Sequence, residues 1–265
     1  MTDNIIRIPD PDQPIYRIFP LWFFEEALRL KYLMLFHPSV WDDPLEILGS
    51  LIAVNQNVNG KYTQEIIQEP FTRIFAQCWS ATKESDTLLR AYSRVVKDTH
   101  IRRNISPREE GVRVRTSARK LLNALESGIP AGLTGNCYIG SVQYMAQPKL
   151  LQVIANTVDR FGKNAFDQPS NLANLALLKR DAFSHESEVR LIFIGDKNEP
   201  GTKSIKVQID PNALFDEVTF DPRLEIFERR ERESVAKNLG YTGNIVESYL
   251  YARIELVVQL PDRND

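Results

Sequence analysis

The sequence predicts a single mixed α+β domain in which central sheet(s) are flanked by helices. Three observations predict it. The 265 residues are 43% hydrophobic and 26% charged, an ordinary globular composition. Apolar residues recur at helical spacing in some stretches and at the strand period in others. No Gly-, Ser- or Pro-rich linker divides the chain, so residues 15–265 read as one unit behind a flexible polar arm over residues 1–14.

The elements follow in order. IYRIF (15–19) is a strand, and Pro20 stands where prolines open helices. Trp22 to Tyr32 has Phe23, Ala27 and Leu30 at helical spacing, and Leu33 to Phe36 is a short apolar run. Asp42-Asp43-Pro44-Leu45-Glu46 is a turn, because Pro44 disfavours helix at Asp43. Lys61 to Glu69 reads as a helix and Ile74 to Trp79 as a strand ending at Ser80. Ser85 or Asp86 caps a helix with Leu88, Leu89, Tyr92, Val95 and Val96 as its stripe. Gly111 to Arg115 is a strand, and Ser117 caps a helix that ends at Gly128. Cys137 to Tyr144 is a strand, with helices at Pro148 to Phe161 and Ser170 to Lys179. Ser204 to Ile209 and Glu217 to Phe220 are strands, Leu224 to Leu239 is a charged helix, and Tyr249 to Leu260 is a final strand. Helices are thus expected mainly in the first two-thirds and strands late.

The most informative stretch is Leu177 to Gly195, LLKRDAFSHESEVRLIFIG. Glu186, Glu188 and Arg190 alternate with Ser187, Val189 and Leu191, so on a strand they share one face. Leu191 to Ile194 continue as a buried strand. Carboxylates against an apolar sheet are costly unless paired or used. Pairing with Arg190 alone is one reading and a functional site is the other.

Other totals exclude several classes. A net charge of −2 gives no whole-molecule attraction to polyanions. The two cysteines, Cys78 and Cys137, form no disulfide framework, which fits a reducing cytoplasm. The opening stretch lacks the apolar core of a signal peptide, and no apolar run reaches the ~20 residues that span a bilayer. There is no GxxxxGK[ST], GxGxxG, HExxH or paired CxxC, and no metal is expected. His185 reads as an exposed turn histidine and Cys78 as a buried, inert thiol. Asp42, Asp43 and Glu46 put three carboxylates on the 42–46 turn; the aspartates read as backbone-bonding turn residues, with a cation site of the three as the other reading.

Between Arg90 and Lys120 there are ten Lys/Arg and only three acids. Arg102, Arg103, Arg113, Arg115 and Arg119 are the candidate nucleic-acid contacts of this segment, and a solvated basic face is the alternative.

Taken together, IYRIF (15–19), VWDDPLE (40–46), FAQCWSATKESDTLLRAYS (75–93), CYIGSVQYM (137–145) and LLKRDAFSHESEVRLIF (177–193) resemble the bacterial family DUF2971 in order and spacing. An arginine on the first strand, a serine ending a middle strand and an E-x-E on a later strand are also similar to the layout of ADP-ribosyltransferases. That resemblance implies an ADP-ribosyltransferase-like fold and NAD as co-substrate. It implies that Arg17 holds NAD phosphate and ribose, with Tyr16 and Tyr92 beside it, and that Ser80 braces the site. Glu188 would be the catalytic glutamate, and Glu186 would position the acceptor. The implied role is a bacterial toxin or phage-defence effector that modifies DNA, RNA or protein in the cytoplasm, with a cognate antitoxin as partner and no membrane. The motif here is Cys78-Trp79-Ser80 where those enzymes commonly have serine-threonine-serine. Two other classes stay open: a non-enzymatic nucleic-acid or protein binding module, and a metal-dependent nuclease using Asp42, Asp43, Glu186 and Glu188.

Overall fold

A computed structural model of the chain describes residues 4–46, 52–58, 60–67, 69–162, 164–197, 201–252 and 255–259. In chain order the first elements are β1 (Ile5–Ile6), β2 (Pro14–Pro20), α1 (Leu21–Leu30), β3 (Tyr32–Phe36), β4 (Ala53–Val58), β5 (Lys61–Ile66), β6 (Ile74–Ser80), α2 (Asp86–Tyr92), β7 (Gly111–Ser117) and α3 (Ala118–Gly128). They are followed by β8 (Gly135–Ser141), β9 (Gln143–Met145), α4 (Gln147–Phe161), α5 (Pro169–Leu175), β10 (Leu178–Arg180) and β11 (Glu188–Gly195). The last are β12 (Ser204–Gln208), α6 (Pro211–Leu214), β13 (Glu217–Phe220), α7 (Ile226–Asn238) and β14 (Asn244–Ile245). The result is a mixed α+β domain built on a central sheet with helices against it.

The sheet forks, and the fork positions the site. The order runs β1-β8-β11-β6 and continues through β2 to β7, β13 and β14. A second branch leaves β6 through β3 to β12. β11 lines one edge of β6 from Glu188↔Ser80 to Ile194↔Ile74. The opposite edge is shared: β2 touches it at Tyr16↔Ser80 and β3 at Phe36↔Ala76. Between those two points Gln77, Cys78 and Trp79 face a gap. Side chains bridge it, since backbone groups left without partners are costly. Arg17 donates through its guanidinium to the Cys78 carbonyl. Gln77 donates to the Met34 carbonyl at 3.1 Å and receives the Trp79 indole N–H at 3.0 Å.

Both faces of the sheet are covered. Val189, Leu191 and Phe193 of β11 join Ile15, Phe19, Trp79, Val112, Val114 and Leu121 in one core cluster. Ile192 and Ile194 point the other way, into a cluster with Ile74, Ala76, Leu150, Ile154 and Phe166. The strand is buried on both sides, which is why its sequence reads as a continuous apolar run. Ser85 and Ser117 cap α2 and α3 by accepting from the backbone N–H groups of Leu88 and Lys120.

Several expectations are corrected. The arm over residues 1–14 is not loose throughout: Ile5 and Ile6 pair in parallel with Ile139 and Gly140, and Ile8 is buried. Lys61 to Glu69 is not a helix. Lys61–Ile66 pairs with Ala53–Val58 in a hairpin, and tertiary pairing overrides local helix preference there. The helix after Pro169 stops at Leu175, and Leu178–Arg180 pairs with Gln143–Met145 as a strand. Strands are spread along the chain and not concentrated late. Among the described residues of 249–259 none is a strand; residues 253, 254 and 260 of that expected strand lie outside the described ones. Among the described residues, no helix is long and apolar enough to cross a membrane.

Gly128 ends α3 where β12 crosses closely. A Cβ there would stand 2.0 Å from the Gln208 carbonyl oxygen and 2.9 Å from Val207 Cγ1. Alanine is intrinsically the better helix residue by about 1 kcal/mol. Gly128→Ala is nevertheless predicted to lower the melting temperature by several degrees in a thermal melt, because the backbone of β12 must shift; an unchanged or higher Tm would contradict this packing.

Candidate active site

Three of the expected site residues project from one row of the sheet. Tyr16 opposes Ser80, and Ser80 opposes Glu188, so the three share a face across β2, β6 and β11. Arg17 alternates with Tyr16, and its side chain enters the gap of the fork. The fork opens into a cavity of about 390 Å³ lined by Tyr16, Arg17, Ser80, Tyr92, Glu186 and Glu188, with Trp41 and Lys83 at its sides. That is within the usual range of ligand cavities. Every residue assigned to NAD or to catalysis by its motif therefore lines one cleft, although Arg17 and Glu188 are far apart in sequence.

Glu186 is not on the strand with Glu188. It ends a 3-10 turn at Asp181–Glu186, and Ser187 has φ +44°, the left-handed region. That residue reverses the chain and lets both carboxylates reach the cleft. Ser80 secures the reversal: its hydroxyl donates to the Glu186 carbonyl at 2.6 Å and accepts from the Thr82 N–H at 3.0 Å. The Ala81 N–H donates to the Ser187 carbonyl at 2.8 Å, and the Glu188 N–H donates to the Tyr144 hydroxyl at 2.8 Å.

Behind the cleft lies a cluster of buried charge. Arg190 grips Glu188 with two donors, Nε to Oε1 at 3.1 Å and an Nη to Oε2 at 2.8 Å. Another Nη donates to the Ala176 carbonyl at 2.7 Å, and the guanidinium also bonds Glu46. The Trp41 ring covers Arg190 at 4.6 Å. Lys179 reaches Glu186 at 2.6 Å and both Glu46 and Glu188 at 3.3 Å. Arg180 holds Asp43 at 2.8 Å, so the 42–46 turn is tied to the sheet at two carboxylates.

The electrostatics follow from these contacts. Burial alone would raise the Glu188 carboxyl. Arg190 and Lys179 outweigh it and hold Glu188 down at about 2, an anion at neutral pH. Arg190 is raised well above its ordinary value by Glu188 and Glu46 despite its burial. Burial, reinforced by Glu188, pushes the Cys78 thiol far up, and the residue is half-buried in the cleft lining. Burial pulls the Arg17 guanidinium down, and its Nε is enclosed without a hydrogen-bond partner.

The residues the sequence does not single out as functional are Lys179, Tyr144 and Trp41, and Glu46 is marked there only as a carboxylate of the conceivable cation site on the 42–46 turn. Glu46 belongs to the DDPLE motif and Lys179 to the LLKRD stretch, but neither signal says that both meet Arg190. Glu46, Glu186 and Glu188 are each bonded to Lys179, Arg190 or both. Among the described residues no group of three metal-ligating side chains is arranged to hold an ion. Asp43 is buried against Arg180, outside that cluster.

The basic segment is dispersed through ion pairs. Arg113 is buried in the sheet, bonded to the Lys83 carbonyl, Glu84 and Thr219, and it stacks over Tyr16 at 5.6 Å. Arg102 pairs with Glu225, Arg103 with Glu231, Arg115 with Glu217 and Arg119 with Asp12. The five do not form a bare basic face; the acids that neutralise them come from distant parts of the chain. Tyr92 is half exposed at the rim of the cleft.

No family model and no curated protein matches the chain. Among solved structures it is similar to Thermus sp. 2.9 DarT in complex with ADP-ribosylated ssDNA, at a TM-score of 0.39 and 12% identity, over 91% of this chain and 96% of that one. It is also similar to the same protein in complex with NAD+, at a TM-score of 0.37 and 13% identity, over 91% and 96% of the two chains. At such identities no residue is carried across.

Removing Arg190 leaves Glu188 and Glu46 buried without their main cation. Arg190→Met is predicted to cost about 3–5 kcal/mol in chemical denaturation; a cost under ~1 kcal/mol would mean the pairing is dispensable. The Glu188 carboxyl is depressed on folding, so its stabilisation is complete above the ordinary carboxylate range near 4.5 and is lost as pH falls towards about 2. Wild-type stability should therefore fall across that window, and the fall should be shallower in Glu188→Gln; identical profiles would contradict the assignment.

Proposed function

We propose that this chain is an NAD-using, ADP-ribosyltransferase-like enzyme of the DUF2971 kind, and that the cleft in the forked sheet is its active site. The observation that carries the reading is the meeting of Arg17, Ser80, Glu186 and Glu188 around one cavity. The residues suit such a ligand. Arg17 lines the cleft and brings a guanidinium to it. Lys83 adds a second cation at the cleft wall, and Trp41, Tyr16 and Phe36 add flat apolar surface.

Bound NAD supplies a nicotinamide–ribose bond whose breakage builds positive charge on the sugar. Glu188 is an anion at neutral pH and its orientation is fixed by Arg190 and Lys179, so it offers preorganised negative charge without a reorganisation cost. The same demand is met in glycosidases by buried carboxylates. Glu186 is half-buried at the wall and oriented by Lys179, where it orients an incoming acceptor. Arg17 and Lys83 hold phosphate. Ser80 keeps the Glu186–Glu188 turn in place through two hydrogen bonds. The acceptor is DNA, RNA or protein, and the biological role is that of a toxin or defence effector, neutralised by an antitoxin.

The purified wild type is predicted to release nicotinamide from NAD when DNA, RNA and cell extract are offered as acceptors. Glu188→Gln, checked to be folded at the assay temperature by circular dichroism, should lose about 10²–10³-fold in kcat, the scale for removing one preorganised electrostatic contact. Absence of nicotinamide release by folded wild-type protein under every acceptor would contradict the reading.

A further inference from the structure

The hairpin of β4 and β5 stands apart from the rest of the fold. It forms a sheet of its own, and among the described residues neither outer edge pairs with another strand. Every residue of β5 is exposed, Tyr62 at 82%. The base of the hairpin is anchored, with Ile52 and Ile67 buried in a core cluster. Among the described residues, neither strand lines the cleft. A two-stranded hairpin is marginally stable alone in water, and an exposed strand edge is a template for a further strand.

Register fixes which way the β5 backbone faces. The Ile67 N–H donates to the Ile52 carbonyl at 2.9 Å, and the opposite pairs run from Ala53↔Ile66 to Val58↔Lys61. Hydrogen-bonded and non-hydrogen-bonded pairs alternate along an antiparallel ladder. Lys61, Thr63 and Glu65 therefore turn their peptide groups to β4, and Tyr62, Gln64 and Ile66 turn theirs to the outer edge. The side chains of Lys61 and Glu65 share one face of β5, with Thr63 midway between them. A cation and an anion equidistant from one residue are self-complementary under a two-fold axis through that residue.

We propose that β5 is a self-association edge, on which two copies of this chain pair antiparallel about a two-fold axis at Thr63. In that register Tyr62 and Gln64 of the partner subunit exchange both of the backbone hydrogen bonds that their outward peptide groups offer. Lys61 lies opposite Glu65 of the partner subunit, in a non-hydrogen-bonded position where facing side chains approach most closely. The two-fold axis repeats both contacts. Centring the pair on Gln64 would set Thr63 opposite Glu65 and lose the charge match, so the charges select the register. The shared edge is short, which places the dimer among the weak interfaces below ~1,200 Å², populated as concentration rises.

Sedimentation of the full chain across a concentration series tests this. The wild type should pass from monomer to dimer as concentration rises, and less readily in high salt. Lys61→Glu and Glu65→Lys each set like charges opposite one another across the axis, and each should weaken association by about tenfold. The double variant Lys61→Glu/Glu65→Lys should restore it, and a mixture of the two single variants should associate more tightly than either alone. Oxidation of Thr63→Cys gives an independent readout, because the paired Cα atoms would stand about 4.5 Å apart, within disulfide reach. Thr63→Cys should cross-link between chains, and Tyr62→Cys, on the opposite face, should not. A wild type that stays monomeric throughout overturns the inference and leaves the edge to a different chain. Dimerisation indifferent to both single charge variants, or cross-linking of Tyr62→Cys in preference to Thr63→Cys, overturns it as well.

Discussion

The structure depends on keeping Arg190 and Glu188 charged inside the sheet. Both sit on β11, a strand buried along its whole length, where an isolated ion would be prohibitive. The solution recruits three other parts of the chain. The 42–46 turn brings Glu46 to Arg190, β10 brings Lys179 to all three glutamates, and the end of α5 offers the Ala176 carbonyl. Segments with little local reason to fold as they do are thereby fixed to one another. A buried ion cluster is weak evidence of stability for its own sake, since apolar residues of similar volume usually serve as well. On the proposed function, Glu188 serves beside the cavity as a fixed charge.

The fork makes the cavity possible. A continuous sheet would pair β6 along its second edge and leave no opening at Gln77 to Trp79. Here two strands share that edge, and side chains replace the missing backbone bonds. Arg17 has two jobs in consequence. One part of its guanidinium completes the Cys78 carbonyl and stacks beside Phe19 at 5.1 Å, while its Nε stays without a partner. The same residue closes a structural gap and lines the cavity.

The candidate site was largely legible in the sequence and much of the topology was not. Period-two alternation at Glu188-Val189-Arg190-Leu191 correctly separated the charged face from the apolar one, and the serine caps at Ser85 and Ser117 marked two helix starts. What alternation could not show was that Glu186 leaves the strand, because the positive φ of Ser187 is a tertiary outcome held by Ser80. Lys61 to Ile66 carries residues compatible with helix, and only its pairing with Ala53 to Val58 makes it a strand. The ion pairs of the basic run were hidden for a similar reason. Local charge density is visible in sequence, but Glu217, Glu225 and Glu231, which neutralise Arg115, Arg102 and Arg103, arrive from the other end of the chain.

The most direct test of the account is where NAD+ touches the protein. Backbone amide shifts of the labelled chain, followed through a titration with NAD+, should move at residues 16–18, 78–83 and 186–190, on both sides of the fork. Shifts confined to other surfaces, such as the groove between α3 and α6, or no shifts at saturating NAD+, would contradict it.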